Sequence, residues 1–157
     1  MSIPQPKLAN RFDVKFEGML PSDSKFDPVK ASTLLKQLSG QVSTVVLPTR
    51  LFTAVTRQVP PAGEGFVAVN HEGDLTLGFH DDTGNIVSAG VELLSILHSL
   101  KIVVSLLDGD LNALETYRFD GLLVKKLQVS PLDCLSKTWI EKSLTVGANY
   151  MHIKTGE

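Results

Sequence analysis

The sequence has little of what several classes of protein need. It contains one cysteine, so no disulfide can form within the chain and a disulfide-bonded secreted scaffold is excluded. Its 15 basic and 17 acidic residues give a net charge of −2, without the positive excess of proteins that hold nucleic acid by its phosphates. No stretch approaches the roughly 18 apolar residues of a membrane-spanning helix, and residues 1–8 lack the apolar segment of a signal peptide. We therefore expect a soluble protein made in the cytoplasm, with no membrane anchor.

The chain does contain enough apolar side chain for one core. Hydrophobic residues make up 43% and charged residues 20% of its 157 residues, a globular composition. At about 100 to 200 residues per domain, this length predicts a single domain over residues 1–157. Cys134 has no motif around it, so we expect it to be a small buried hydrophobic residue.

Two sequence patterns that mimic ligand-binding motifs are incomplete. The acidic run 108–112 begins like a calcium loop, but Ala113 and Phe119 stand where that loop needs glycine and glutamate. This run predicts a solvated turn. The glycines of 63–65 precede a strand pattern instead of linking a strand to a helix, so they do not make a dinucleotide site.

Histidines and nucleophiles do not form a catalytic constellation either. None of the four histidines has another histidine four residues away, as two metal ligands on one helix face would require. His80 beside Asp81 and Asp82 predicts a hydrogen-bonded turn, and no serine or cysteine stands in a nucleophile motif. We therefore predict no catalytic, cofactor-binding or metal-binding residues, and a protein that is not an enzyme.

Alternating apolar and polar residues predict about seven strands. These are residues 11–17, 34–47, 65–69, 74–80, 101–107, 117–129 and 144–150. Segment 34–47 is ambiguous, because its leucines also fit a helix, but its valines favour mostly strand. Asp27 and Pro28 could start a short helix before it. The strands 65–69 and 74–80 are expected to form a hairpin.

Leucines and other apolar residues recur at helical spacing after the turn 81–85, which predicts one packed helix at about 86–99. Many strands with one helix predict a mainly β fold. The expected architecture is two antiparallel sheets forming a β-sandwich or small barrel against that helix.

The segment 48–64 predicts a long projecting loop. It has three prolines, two arginines and no clean period, and long loops in compact domains often contact partners. This segment is therefore the first candidate for contact with a partner.

Several of these patterns occur in a recognisable order. They are 11–16, 45–48, 74–82 with its following helix, 117–121, 130–133 and 144–150. Over about residues 10–152, this order resembles the tail tube proteins of contractile-tailed bacteriophages. Those proteins share a fold with the haemolysin-coregulated protein of type VI secretion.

The resemblance implies a structural subunit of the virion. Copies would form hexameric rings that stack into a tail tube inside a contractile sheath, for genome ejection into the host. Expected partners are the sheath protein, baseplate or tube-initiator proteins and the tail terminator, while DNA and the tape measure protein pass through without specific binding. The family geometry implies inter-ring contacts by the loop at about 48–64, with Pro48, Arg50, Arg57, Pro60 and Pro61 as the candidate contact residues.

Two other interpretations stay open at this point. A baseplate tube-initiator protein would share the fold and differ in copy number. A small ligand-binding β-barrel is less favoured, because such proteins carry an early Gly-x-Trp and the single tryptophan of this chain is Trp139.

Overall fold

The computed structural model describes residues 7–52, 63 and 65–156, which contain two helices and eight strands. The helices are α1 (Pro28–Gly40) and α2 (Ile86–Ile96). The strands are β1 (Phe12–Met19), β2 (Val42–Val46), β3 (Thr49–Leu51), β4 (Val67–Glu72), β5 (Leu75–His80), β6 (His98–Leu107), β7 (Ala113–Val129) and β8 (Glu141–Thr155). The mainly β class predicted from sequence is confirmed.

The eight strands form one antiparallel sheet instead of two sheets, and this sheet is not closed into a barrel. Its main path runs β1-β6-β7-β8-β4-β3, and a branch leaves β8 through β5 to β2. The sheet stays continuous because β7 and β8, with 17 and 15 residues, are long enough to take part in both halves. Two predictions are therefore corrected: the strands form one sheet instead of two, and there are two helices instead of one.

The long β7–β8 hairpin bends at Gly121. At roughly 3.3 Å per residue a straight β7 would exceed 50 Å, more than the width of about 40 Å expected for a domain of this size. Gly121 adopts φ +62°, a conformation that favours glycine. The core-facing positions of β7 shift there from Phe119 to Leu122 and Val124. Both halves of the sheet therefore face one core.

The core of the first half is a row of apolar side chains across five strands. Strand register places its members opposite one another in the order Phe16, Ile102, Phe119, Met151 and Val69. The second half contributes the row Leu127, Leu144, Leu77 and Val45. Both rows belong to the same apolar cluster, which α1 and α2 complete.

The segment 34–47, predicted as mostly strand, is the end of α1 followed by β2. The carboxylate of Asp27 accepts a hydrogen bond of 3.4 Å from the backbone N–H of Val29, and Pro28 fits the first helical turn. This confirms the predicted helix start. The strand prediction fails because the leucines belong to the helix, where Leu38 is fully buried, and only the valines belong to β2.

Helix α2 begins as predicted and ends earlier, since the chain enters β6 at His98. Its buried glycine, Gly90, lies against Leu38 of α1. A methyl group at Gly90 would come within 2.9 Å of Leu38 Cδ2, so this glycine permits the close approach of the two helices.

The predicted hairpin of β4 and β5 does not form. β4 pairs with β3 and β8, while β5 pairs with β2 and β8. The two strands follow one another along the same edge of β8, because β8 is long enough to accommodate both.

Candidate functional site

The open sheet leaves strand edges unpaired in the described part of the chain. β1, β2 and β3 each pair with one neighbour, and residues 120–129 of β7 pair with β8 alone. An unpaired edge exposes backbone N–H and C=O groups that can join another chain, and monomers protect such edges with charges, prolines or covering segments. The protection of each edge therefore indicates whether it can serve as an interface.

β2 lacks the charged residues and prolines that protect an edge. Its sequence is Val-Ser-Thr-Val-Val, and Val46 is 60% exposed. β1 instead carries Asp13, Lys15 and Glu17, and the Ser39 hydroxyl donates a hydrogen bond to one of its carbonyls. β2 is therefore the described edge best suited to pair with a second chain.

The unpaired part of β7 borders a cleft of about 230 Å³ between it, the end of α2 and the start of β6. Leu123 is exposed there, while Lys125 forms an ion pair of 3.0 Å with Asp74 and Lys126 follows it. Lysines protect an edge against pairing, so this edge is less available than that of β2.

The tip of the β7–β8 hairpin, residues 130–140, is called the loop end here. Residues 131–140 are all exposed. The loop end presents the apolar side chains Leu132 (76% exposed), Leu135 (86%), Trp139 (74%) and Ile140 (43%). Cys134 is exposed in the same loop, so its predicted burial is wrong: the loop projects beyond the core that would have covered it.

Side-chain to backbone hydrogen bonds form local turns within the loop end. The Asp133 carboxylate accepts from the backbone N–H of Leu135 at 3.0 Å, and the Ser136 hydroxyl accepts from that of Thr138 at 3.2 Å. The Trp139 ring lies 5.7 Å from the ring of His80 on β5. The apolar side chains are thus presented on an ordered loop.

The opposite end of the same hairpin, where the β6–β7 turn 108–112 lies, is called the turn end. Strand register places Glu115 opposite Thr155 there, and Val67 opposite the nearby Ile153. The turn end exposes the apolar side chains Phe52 (86% exposed), Val67 (63%) and Leu111 (74%). The Arg50 guanidinium lies 4.8 Å from the centre of the Phe52 ring, so a cation accompanies these side chains.

The turn 108–112 is the solvated turn that the sequence predicts. The Asp108 carboxylate accepts from the backbone N–H groups of Asn112 at 2.9 Å and Asp110 at 2.8 Å. The Asn112 hydrogen bond is the main reason that the pKa of Asp108 lies below its usual 3.8.

Glu115 is the centre of an ionic cluster near the turn end. Partial burial raises the pKa of Glu115, but hydrogen bonds from Lys7 (2.8 Å) and Tyr117 (2.7 Å) and the charges of Lys7 and Arg50 outweigh it, so the pKa falls below 4.5. Burial and the Glu115 carboxylate raise the pKa of Tyr117 to about 12. The cluster is most stable with Glu115 ionised.

Glu115→Gln is expected to lower the free energy of unfolding by about 1–2 kcal/mol at neutral pH, because charge-assisted hydrogen bonds weaken. A carboxyl group whose pKa is lower in the folded than in the unfolded state stabilises the fold at any pH above its unfolded-state pKa. This contribution disappears as the pH falls through the folded-state pKa. The difference between wild type and variant should therefore shrink below about pH 4.5. Urea unfolding of both proteins across this range measures it, and a difference independent of pH would contradict the assignment.

A second polar group lies on the sheet face opposite Phe119. The Asp120 carboxylate is 3.5 Å from Arg118 Nε and 3.4 Å from His152 Nδ1, and His152 is only 3% exposed. One carboxylate thus lies between a cation and an imidazole. Alternation along β7 and β8 places these residues on one face, but no sequence motif links them.

Only two of the five predicted contact residues of the loop 48–64 lie within the described residues. Pro48 is buried and Arg50 is exposed, and residues 49–51 form β3 instead of a loop. Arg57, Pro60 and Pro61 lie outside the described residues. A contact role for this segment stays a prediction.

The predicted hydrogen-bonded turn next to His80 is confirmed, because the Asp82 carboxylate accepts a hydrogen bond of 3.1 Å from the backbone N–H of Gly84. His80 Nε2 lies 3.5 Å from Glu141, Asp81 is 3.1 Å from Lys142, and Asp82 accepts from Gln41 Nε2 at 3.0 Å.

Within residues 7–52, 63 and 65–156, no group of three or more His, Cys, Asp and Glu side chains could hold a metal ion. Neither helix of this part of the chain is long and apolar enough to cross a membrane.

The apolar loop end was missed by sequence reasoning. Residues 130–133 read as a break because of serine, proline and aspartate. One signal in the sequence could have indicated it. Four large apolar residues, Leu132, Leu135, Trp139 and Ile140, lie within and just after that break, and an exposed loop does not need such residues for its own folding.

The fold defined by these features is a bent, open antiparallel sheet with two helices on its core. No protein-family model and no curated protein sequence matches the chain. Solved structures do match. A chain in the cryo-EM structure of the anti-feeding prophage baseplate has a TM-score of 0.59 at 18% identity, covering 98% of both chains.

Two further structures share the fold. A chain in the cryo-EM structure of the sheath/tube terminator of the extracellular contractile injection system PVC has a TM-score of 0.61 at 14% identity, covering 98% of this chain and 100% of that one. Hcp1 from Salmonella typhimurium has a TM-score of 0.50 at 11% identity, covering 92% and 87%. The chain therefore has the tail-tube fold of contractile injection systems, and the resemblance predicted from sequence is confirmed at the level of fold.

Proposed function

We propose that the chain is a tube subunit of a contractile injection system. Copies form hexameric rings, and the rings stack into a tube inside a contractile sheath. The observation that carries the proposal is the unprotected edge of β2 on an open sheet with the tail-tube fold.

Ring closure explains the open sheet. A monomer gains nothing from an edge without charge or proline, because that edge invites uncontrolled pairing. In a ring, each β2 edge meets the sheet of the next copy, and closure of the ring leaves no β2 edge free. The backbone groups of β2 are then paired between subunits.

In a contractile-tailed bacteriophage, this tube is the tail tube of the virion. The sheath protein, a baseplate or tube-initiator protein and a tail terminator are its partners. DNA and the tape measure protein pass through the lumen without specific binding, and the net charge of −2 gives the subunit no overall attraction for phosphates.

A tube-initiator ring at the baseplate is the second candidate. The observation that favours it is the fold shared with a chain of the anti-feeding prophage baseplate over 98% of both chains. An initiator occurs in one or a few rings per particle, whereas a tube subunit occurs in a long stack. Copy number per particle therefore separates the two roles.

The segment 48–64 is proposed to contribute to contacts between rings. Arg50 is the described residue available for this, since it is exposed at the turn end. Pro48 is buried, so its part is to fix the start of the segment.

The purified wild-type chain is expected to form rings with the mass of six subunits, and Val46→Lys is expected to reduce ring formation at least about tenfold, because an edge lysine blocks strand pairing. Native mass spectrometry measures both. Val29→Lys is the matched control, since Val29 is 72% exposed in the first turn of α1 and lies outside β2.

Two results would count against the proposal. A wild-type chain that stays monomeric at high concentration would contradict the proposed formation of rings. Rings that form equally well with Val46→Lys would show that the β2 edge is not the interface.

A further inference from the structure

The apolar side chains of the loop end are not buried within one subunit. Trp139 is 74% exposed although it contacts His80, and Leu132 and Leu135 are more exposed still. Tryptophan buried at the centre of an interface is among the residues that contribute most to binding. Exposed on an ordered loop, such a group indicates a docking surface.

We infer that the loop end docks onto the turn end of a second copy of this chain, in the adjacent ring. This inference rests on the proposed tube function and specifies the contact that joins the rings. The partner is the same chain, because its opposite end carries the complementary surface.

Position is the first argument for a second copy. One hairpin connects the two ends: Val129 pairs with Lys142 at the loop end, and Glu115 pairs with Thr155 at the turn end. Exposed large apolar side chains therefore lie at both ends of the longest strands. A contact between opposite ends of identical chains is heterologous, and where its rotation does not close a ring it repeats from one copy to the next without limit.

Charge is the second argument. At the loop end, Asp82, Asp133 and Glu141 outnumber the one lysine of the loop, Lys137, while Asp81 and Lys142 pair with each other. The turn end has the exposed Arg50 over the Phe52 ring. Arg11 and Lys154 add positive charge there, against Asp108 and Asp110, while Lys7 and Glu115 pair with each other. The acidic end thus meets the more basic end.

Order is the third argument. The backbone N–H of Ser130 donates to the Glu141 carbonyl at 2.8 Å, and the Ser130 hydroxyl accepts from the Glu141 N–H at 3.1 Å, so the base of the loop is closed. A loop already held in shape loses little conformational freedom on binding. Each contact is small, but it recurs around the ring, so its effects accumulate.

The test compares variants of the full chain that differ in exposed apolar side chains. Leu135→Ser and Trp139→Ser are each expected to leave ring mass unchanged and to reduce tube formation at least about tenfold. Val29→Ser removes an equally exposed apolar side chain from α1 and should form tubes as the wild type does. Native mass spectrometry reports rings, and negative-stain electron microscopy reports tubes.

Cys134 provides a second readout in the unmodified protein, because it is the single cysteine and is exposed in the docking loop. Its alkylation should be fast in isolated rings and at least about tenfold slower in tubes, since a buried thiol is inaccessible to the reagent. Equal alkylation in rings and tubes would overturn the inference and place the loop on a surface open to the sheath or another partner.

The outcomes separate this inference from the proposed function. Tubes that persist in both loop variants overturn the inference alone. A wild-type chain that forms no rings overturns the proposed function and the inference with it. Rings without tubes in both loop variants, with normal tubes from Val29→Ser, support the docking of loop end on turn end.

Discussion

Replacement of Phe119 by alanine is expected to lower the free energy of unfolding by about 3–5 kcal/mol, the cost of removing a large buried side chain. Phe119 is 0% exposed and lies at the centre of the apolar row across five strands. Its neighbours Ile102 and Met151 are held by backbone pairing on both sides, so they cannot collapse fully into the space. Urea unfolding followed by circular dichroism measures the change.

A control on the same strand makes this result specific. Leu123 is 64% exposed on β7, and Leu123→Ala is expected to change the free energy of unfolding by less than about 0.5 kcal/mol. A loss below about 1 kcal/mol for Phe119→Ala would mean that the row across the sheet is not the core.

Gly121→Ala is expected to cost about 2–4 kcal/mol, because it combines backbone strain with a collision. At φ +62° a side chain is disfavoured, and the new methyl group would lie 2.8 Å from Asn149 Cβ on the paired strand. That atom is fixed to the backbone of β8, so the two strands must shift at the bend. Thermal and urea unfolding both report the loss.

Gly73→Ala separates the two causes. Gly73 has φ +93° but nothing within 4 Å of a new methyl group, so it carries the strain without the collision. We expect a smaller loss there, about 1–2 kcal/mol. Equal losses at both positions would show that the contact with Asn149 does not constrain the bend.

Local patterns predicted most of the individual elements. β1 and β5 were found because Phe12, Val14 and Phe16, and likewise Leu75, Leu77 and Phe79, alternate with more exposed residues. Period-2 alternation marks a strand with one buried face wherever that face packs. The start of α2 was found for the corresponding reason at helical spacing.

Element boundaries were less predictable where two patterns adjoin. The leucines of α1 and the valines of β2 are separated by very few residues, so one window contained both signals. A distant contact determines that residues around Leu38 are helical. Leu38 is buried against Gly90, which requires α1 to be a helix, and these two residues are 52 positions apart in sequence.

Pairing between strands could not be predicted from neighbouring residues. β4 and β5 look like a hairpin because they are adjacent in sequence and separated by a glycine turn. They pair instead with β8, which lies far along the chain and is long enough for both. Cys134 was misjudged for a similar reason, since only the tertiary structure shows that its loop projects beyond the core.

By itself, the sequence determined the mainly β class, most strands, the start of α2, the absence of recognisable catalytic motifs and the resemblance to tail tube proteins. These follow from side-chain period and composition, which are local. The tertiary structure alone decided that there is one bent sheet, that the β2 edge is unprotected, and that apolar side chains lie at both ends of the β7–β8 hairpin. Those features depend on which distant segments pair and where strands bend, and no local pattern records either.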